Sequence, residues 1–511
     1  MKHLLADYLQ MLAGHGLLSQ TEETLGERLG ESLQREITLV SCDSRKVIPG
    51  TLFICKGAGF REDFLRMAKE RGAAFYLSEK PYEGVDLPWI GVSDIRAAMA
   101  HSASFCYDRP WEAFRLVGIT GTKGKSTTAF FLKAIFDAYE KSLGGRPSGL
   151  ISTILTEDGK ESRPSRMTTP EPIELEEHFA NAREAGLDYV TMEVSSQALK
   201  YDRVLDVQFD VAAFLNIGYD HISPIEHPTW EDYFASKLRI FSQCRTAVVH
   251  LGVDHSEEML AAAQKARKVI TFSETDERAD VYGYGMKKLG RETHFKARVL
   301  GQEREYILGI PGFFNVSNAL AAIAVAEHYG IPYDCVKEGL KRARVPGRME
   351  EYTSADGKIV TIIDYAHNRL SFEKLFAAAK EEFPGRRIVA LFGASGGKAI
   401  NRRRDLGEVA AANADYIYLT EDDPGREDPT RIAEEIASYI KPFGTPYEII
   451  PDRKEAIRTA IHAAKEPTLL LLAGKGHEVM VRRANGYEKG PSDADCARKY
   501  LADYDGGLAG D

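Results

Sequence analysis

Cysteine is sparse and unclustered in this 511-residue chain: the six thiols, at positions 42, 55, 106, 244, 335 and 496, make no Cys-x-x-Cys pair and no dense framework. Reduced thiols in a cytoplasmic protein are therefore expected rather than disulfides. A long apolar run is also missing. The start, Met1-Lys-His-Leu-Leu-Ala-Asp-Tyr8, has no apolar signal core or cleavage site, so neither secretion nor membrane insertion is expected. Positive charge is in deficit, with a formal net charge of -10 and a pI near 5.8. A general nucleic-acid binder carries a basic footprint, so no nucleic-acid partner is expected. A local cluster of Lys and Arg can still hold an anionic ligand. The length exceeds what one core accommodates and predicts about three domains.

What is present centres on Gly118-Ile-Thr-Gly-Thr-Lys-Gly-Lys-Ser-Thr-Thr128, between the apolar Phe114-Arg-Leu-Val117 and a helical pattern over 129–136. A glycine loop between a strand and a helix start turns backbone N–H groups, a lysine and hydroxyls toward one small volume, which suits nucleotide phosphates. The usual P-loop has Gly five positions before the Gly of Gly-Lys-Ser/Thr, and here that position is Ile119. The mechanics survive the altered spacing. Gly121, Thr122 and Gly124 shape the loop, Lys125 can neutralise β/γ-phosphate charge, and Ser126 or Thr127 can face Mg²⁺. The plainer alternative is a glycine turn ahead of an ordinary helix with a solvated lysine.

Residues 1–110 read as a small α/β module with strands at Ile37–Val40, Thr51–Cys55 and Ala74–Leu77. The loop Asp43-Ser44-Arg45 is a turn with a surface arginine, or an arginine and hydroxyl pair that grips a phosphate-bearing substrate. Over 111–343, strands alternate with helices, as in a doubly wound parallel sheet that binds nucleotide at the carboxyl ends of its strands. Strand Leu187–Met192 is followed by Glu193, and strand Val211–Leu215 by Asn216-Ile-Gly-Tyr-Asp-His221. Together after successive strands, Glu193 and His221 read as metal ligands; either alone reads as a buried polar residue. Thr229 is the expected N-cap of a helix through Phe241, with Asp232 as capping-box partner. Pattern alone sends Lys237 of that helix out to water. Residues 281–309 are expected to form hairpins. Asn315 and Asn318, at a helix start, are caps or a pair of amides for a base edge.

Pro346-Gly347 marks a boundary, and 344–511 again alternates strand and helix. Strands Ile359–Ile363, Arg387–Phe392, Tyr416–Leu419 and Thr468–Ala473 each end in polar or glycine-rich sequence. Those ends are Asp364-Tyr-Ala-His367, Gly393-Ala-Ser-Gly-Gly-Lys398, Thr420-Glu-Asp-Asp-Pro-Gly425 and Gly474-Lys-Gly-His-Glu478. Four such ends predict a second ligand surface.

These motifs, in this order and over nearly the whole chain, resemble the Mur ligases, the ATP-dependent amide-forming enzymes of peptidoglycan synthesis. The matching stretches are Asp43–Phe53, Gly118–Thr127, Thr168–Glu171, Met192–Ser196, Glu231–Lys237, Val345–Glu350, Asp364–His367 and Ala473–Glu478. The resemblance implies three α/β domains: a UDP-substrate-binding domain (1–110), a central P-loop ATPase-like domain with a parallel sheet (111–343) and a Rossmann-like amino-acid-binding domain (344–511). It assigns Ser44 and Arg45 to the UDP part of the substrate, and Thr168, Thr169, Ser195 and Arg203 to a muramoyl-dipeptide. Lys125, Ser126 and Thr127 fall to ATP phosphates and Mg²⁺, and Glu193 and His221 to magnesium. Lys237 matches a lysine carbamylated by CO₂, against the pattern-based reading. Asn315, Asn318, Arg348, Asp364 and His367 would surround the nucleotide.

Three departures bear on specificity. Gln197 replaces an expected His, and Asn368-Arg369 follows His367 where many relatives have proline. Most telling, diaminopimelate-adding members carry Asp-Asn-Pro-Arg where this chain has Asp422-Asp423-Pro424-Gly425. Loss of that Arg removes a carboxylate contact, and the added acid favours a cationic side-chain end; a register shift onto Arg426 would restore the contact. The expected reaction is addition of a diamino acid, of the lysine type, to UDP-N-acetylmuramoyl-L-Ala-D-Glu by a monomer that uses ATP and Mg²⁺. Asp422, Asp423, Gly474 and Glu478 are the expected amino-acid contacts. The same reaction with meso-diaminopimelate or another diamino acid, and a non-catalytic nucleotide- or precursor-binding regulator, are the alternatives.

Overall fold

The computed structural model describes residues 3–57, 59–223, 226–290 and 292–508. The chain divides into two compact units: Met1–Lys125 with Ile135–Phe272 and Ala321–Cys335, and Ser126–Ala134 with Ser273–Leu320 and Val336–Asp511.

The first unit holds two parallel sheets. The smaller takes Leu39–Ser41, Thr51–Ile54, Ala73–Ser78 and Trp89–Gly91 in that order. The single strand expected at Ile37–Val40 is split: Glu36–Ile37 pairs antiparallel with His3–Leu4, and only Leu39–Ser41 joins the four-stranded sheet. The break falls at Thr38, whose N–H and hydroxyl bond the carbonyls of Gly50 and Pro49 instead of continuing a ladder.

In the larger sheet, Arg115–Thr120 lies between Tyr189–Glu193 and Phe209–Phe214, parallel to both. Gly149–Ile151 extends one side, and Cys244–His250 and Lys268–Ser273 the other, all parallel. The hairpin Leu155–Glu157 and Ser162–Pro164 closes one edge antiparallel. These strands are apolar on both faces, as a sheet covered by helices requires. The strand reaches further than expected, so Gly118 belongs to it; a Cβ there would sit 2.8 Å from the Phe209 ring, which makes it a packing glycine. Gly121, at φ 148°, and Gly124, at φ 87°, make the turn proper, and the helix Lys125–Leu143 starts after it.

Thr229 caps the helix Trp230–Leu238, its hydroxyl accepting from the Asp232 N–H. The carboxylate of Asp232 does not return the bond. It turns to His227 and to Lys200, whose ammonium outcompetes a neutral N–H.

In the second unit, Val281–Leu289, Glu292–Val299 and Gln302–Leu308 form the expected antiparallel meander. Its main sheet runs Glu350–Thr353, Ile359–Asp364, Thr468–Ala473, Arg387–Phe392, Tyr416–Leu419, Tyr447–Ile449, parallel but for the first strand. Thr468–Ala473 inserts between strands earlier in sequence, so the polar ends at Asp364, Gly393, Thr420 and Gly474 share one sheet edge. A hairpin, Met480–Arg483 with Gly486–Lys489, follows the last of them.

Candidate active site

The glycine loop is fastened from the neighbouring strand end. Asn216 accepts the Lys123 N–H at its side-chain oxygen (2.9 Å), donates to the Lys123 carbonyl (3.0 Å), and takes the Thr122 N–H on its own carbonyl (3.0 Å). Thr122 adds a hydroxyl contact to Tyr233 and accepts the Gly218 N–H, both at 3.0 Å. The sequence reading passed over Asn216, although its place directly after a strand beside the loop was a usable signal.

Two lysines converge on this turn. Lys125 donates to the carbonyls of Gly121 (3.0 Å) and Thr122 (3.3 Å), and Lys237 donates to the same Gly121 carbonyl at 3.0 Å. Lys237 does not reach water: it is 2% exposed and lies over the Tyr233 ring. Burial first, then the neighbouring Lys125, holds its pKa well below the usual lysine range, with Asp220 opposing. No carboxylate lies within salt-bridge distance of it among the described residues.

A second group forms around Glu193, the last residue of its strand and buried. Its two oxygens accept the N–H and the hydroxyl of Thr153, at 2.8 and 3.1 Å. Thr153 also reaches the Thr168 hydroxyl; Thr169 donates to the Glu193 carbonyl and accepts the Ser195 N–H, and Arg203 donates to the Thr169 carbonyl. Thr168, Thr169, Glu193, Ser195 and Arg203 are thus gathered in one place. Arg203 also pairs with Glu171, which meets Lys56.

His221, at φ 59°, is bonded to Glu226 at 3.1 Å. Gln197 donates to the same Glu226 oxygen at 3.2 Å, so the residue that departs from the expected His buttresses the partner of His221. Arg45 clamps Asp43 in a bidentate pair with its side chain 79% exposed, while Ser44 is buried beside it.

Glu193 and the hydroxyls of Ser126 and Thr127, in the first turn of their helix, are hard oxygen donors of the kind Mg²⁺ takes. The buried Thr120 hydroxyl, at the strand end that enters the loop, has no hydrogen-bond partner among the described residues. Oxygen donors of this kind fit Mg²⁺.

The second unit carries the other predicted residues. Asn315 donates to the Pro311 carbonyl (2.6 Å) and accepts from Asn318 (3.1 Å), so the two amides are tied together in the chain. Asp364 accepts the N–H groups of Met349 and Ala366. Arg348 stacks over Tyr365, and His367 bonds the Tyr365 carbonyl. Gly347, at φ 64°, lets this segment lie against the His477 backbone.

Beyond it, Lys475 is buried between Asp423 and Glu478, each 2.9 Å away, and Tyr365 donates to Glu478. Burial alone would lower the Lys475 pKa, but Asp422, Glu478 and Asp423 around it raise it. Asp422 is buried and accepts no hydrogen bond among the described residues. Burial, with Asp423 adding and Lys475 opposing, pushes its pKa up to about 6. Gly474, at φ 105°, has a bare face against Asp422: a Cβ there would lie 2.9 Å from the carboxylate.

The sequence pattern of the Mur ligase middle domain matches residues 119–326, and that of the Mur ligase glutamate ligase domain matches 347–476. The chain is 39% identical over 472 residues, 91% of each chain, to the UDP-N-acetylmuramoyl-L-alanyl-D-glutamate--L-lysine ligase of Enterococcus faecalis. It is 38% identical to the Streptococcus thermophilus enzyme of the same name, over 90% of this chain and 92% of that one. Among solved structures it resembles a UDP-N-acetylmuramoyl-L-alanyl-D-glutamate--2,6-diaminopimelate ligase, with TM-score 0.65, 23% identity and 99% of both chains covered. The ligase MurF of Thermotoga maritima in complex with ADP shares the fold at TM-score 0.58 and 17% identity, over 92% of this chain and 97% of that one. With relatives of this identity along nine-tenths of its length and the same fold end to end, the chain belongs to the Mur ligase family.

Proposed function

We propose that this protein is an ATP-dependent ligase that adds L-lysine to UDP-N-acetylmuramoyl-L-Ala-D-Glu in peptidoglycan synthesis in the cytoplasm. The 39% identity over 91% of the chain to an L-lysine ligase carries the reading. Residues 1–110 take the UDP moiety, 111–343 the ATP and 344–511 the amino acid.

A carboxylate does not react with an amine at neutral pH. The D-Glu carboxylate oxygen therefore attacks the γ-phosphorus of ATP, the bond to the bridging oxygen breaks, and ADP leaves an acyl phosphate. The amine nitrogen then attacks the acyl carbon and phosphate departs. Bringing two anions together is the obstacle, and Lys125 with the loop N–H groups offsets that repulsion and the spreading charge of transfer. Bound Mg²⁺ supplies further Lewis-acid neutralisation of the phosphates. Glu193, Ser126 and Thr127 would hold it, with His221 adding a nitrogen donor. Thr168, Thr169, Ser195 and Arg203 orient the muramoyl-dipeptide, which is the acyl donor, and Arg348, Asp364, Asn315, Asn318 and His367 serve the nucleotide.

Lys237 carries a carbamate in this reading. Two ammonium groups on one carbonyl in a dry site favour the free amine, which adds to CO₂ with release of a proton and becomes an anion. Enzyme equilibrated with ¹³C-bicarbonate is expected to show a carbamate carbon signal that Lys237→Ala lacks; the same signal in both proteins would remove the assignment.

The reaction itself is tested by phosphate release with ATP, the UDP-precursor and a panel of L-lysine, D-lysine, L-ornithine and meso-diaminopimelate. Release is expected with L-lysine and only in the presence of the precursor. Turnover with meso-diaminopimelate alone would overturn the choice of amino acid, and release without any amino acid would overturn the ligase.

A further inference from the structure

The loop Asp422-Asp423-Pro424-Gly425 ends without a side chain, and a guanidinium from elsewhere fills the space. Gly425 has φ 63°, and a Cβ on it would lie 3.0 Å from both Cζ and Nη2 of Arg482. Arg482 comes from the hairpin strand Met480–Arg483, which is laced onto the loop. The Gly425 N–H donates to the Arg482 carbonyl (2.9 Å), the Arg482 N–H to Asp423 (3.0 Å), and Lys475 to the Met480 carbonyl (2.8 Å). Next along the strand, Arg483 grips Glu421 with both terminal nitrogens.

Arg482 is half-buried and lacks a counterion. Arg483 has Glu421 and Glu488, Arg453 has Asp493, and Arg403 has Glu427 and Glu435; Arg426, beside Gly425, has no ion pair among the described residues but is exposed to water. Arg482 has no salt bridge among the described residues. Its Nη2 donates to the carbonyls of Gly396 and Asp423, and its Nε is shut off from water with no acceptor. Glu427 is the acid that feels its charge, but the oxygens of Glu427 bond Gly397 and Arg403. A half-buried guanidinium with an unfilled donor is costly unless an anion completes it. The anion that matches a guanidinium fork is a carboxylate, and the loop under Arg482 presents the bare acid Asp422 for a cation. A cation on the strand laced to this loop and an acid within the loop are the two charges a zwitterionic amino acid requires.

We propose that Arg482 is a specificity-determining residue that holds a carboxylate of the incoming amino acid, a role that rests on the ligase reading above. The α-carboxylate and the second carboxylate of diaminopimelate share this chemistry. The wild-type panel settles the ligase reading first, and the full-length variants Arg482→Ala and Arg482→Lys then test the residue.

With L-lysine, Arg482→Ala is expected to raise KM for the amino acid about tenfold or more, with kcat largely held and KM for ATP and the precursor unmoved. Arg482→Lys, which keeps the charge and loses the fork, falls between. L-Lysinamide, which lacks the carboxylate, should be a poor substrate of the wild type and lose nothing further in the variant. A loss confined to meso-diaminopimelate supports the proposal through the second carboxylate. Equal losses on L-lysine and L-lysinamide, a joint rise in all three KM values with a lowered melting temperature, or no change in any of them with either L-lysine or meso-diaminopimelate would overturn it.

Discussion

Two strand-end turns of this molecule are charged in opposite senses. At the phosphate loop, Lys125 and Lys237 crowd one backbone carbonyl, that of Gly121. At the second turn, Asp422, Asp423 and Glu478 surround the single ammonium of Lys475. Both arrangements crowd groups of one kind, amines at the first turn and carboxylates at the second. Like charges held close together raise the free energy of the folded state, and a ligand of the opposite sign recovers it. The first turn is therefore built for an anion such as a nucleotide phosphate, and the second for a cationic end such as an amino group.

The comparison breaks most visibly at Lys125. Removing it takes away the cation that the helix start holds at the Gly121 and Thr122 carbonyls, whereas the loop itself stays fastened by Asn216 and Thr122. Lys125→Ala is expected to cost about a thousandfold in kcat, about 4 kcal/mol of transition-state stabilisation, with melting temperature little changed. Phosphate-release kinetics beside a thermal melt checks it. A variant within tenfold of wild type would mean that the anion is not held there.

The two turns also differ in how far a reader of the sequence can follow them. The phosphate loop is contiguous: strand, Gly121, Gly124, Lys125 and helix stand in one run of residues, so spacing alone exposes it. The parallel strands Arg387–Phe392, Tyr416–Leu419 and Thr468–Ala473 are legible for a like reason, being unbroken apolar runs buried on both faces. The split at Thr38 is not legible, because it depends on carbonyls more than ten residues away. Lys237 defeats pattern altogether. A lysine at the edge of an amphipathic helix belongs in water unless that edge faces a carbonyl across the fold, and only tertiary structure places Gly121 there. The second turn is assembled from residues 421–425, 474–478 and 480–483, and nothing in Val481-Arg482-Arg483 marks the strand as part of a site. Its acids could be read from the sequence; their inequality could not. Asp423 is pinned by Lys475 and the Arg482 N–H, while Asp422 stays bare.

That inequality sets a smaller effect and one that depends on pH. Asp422 has a folded pKa of about 6 against an ordinary 3.8, raised by burial, so the folded protein keeps a proton that the unfolded chain has lost between those values. Stability is therefore greatest below pH 3.8 as far as this group is concerned, and is lost as pH rises through about 6. The full cost above pH 6 is about 3 kcal/mol, from 1.36 kcal/mol per pKa unit. Binding runs the other way, since only the ionised carboxylate attracts an ammonium. KM for L-lysine is expected to climb toward tenfold per pH unit below pH 6 and to be level above it. Asp422→Asn removes both dependences: KM becomes high and flat across pH 5 to 8, and the melting temperature at pH 7.5 rises. Initial-rate kinetics and melts at matched pH separate the two signs. A variant that loses stability at pH 7.5 would show that Asp422 is satisfied in the free protein, and the second turn would then no longer mirror the first.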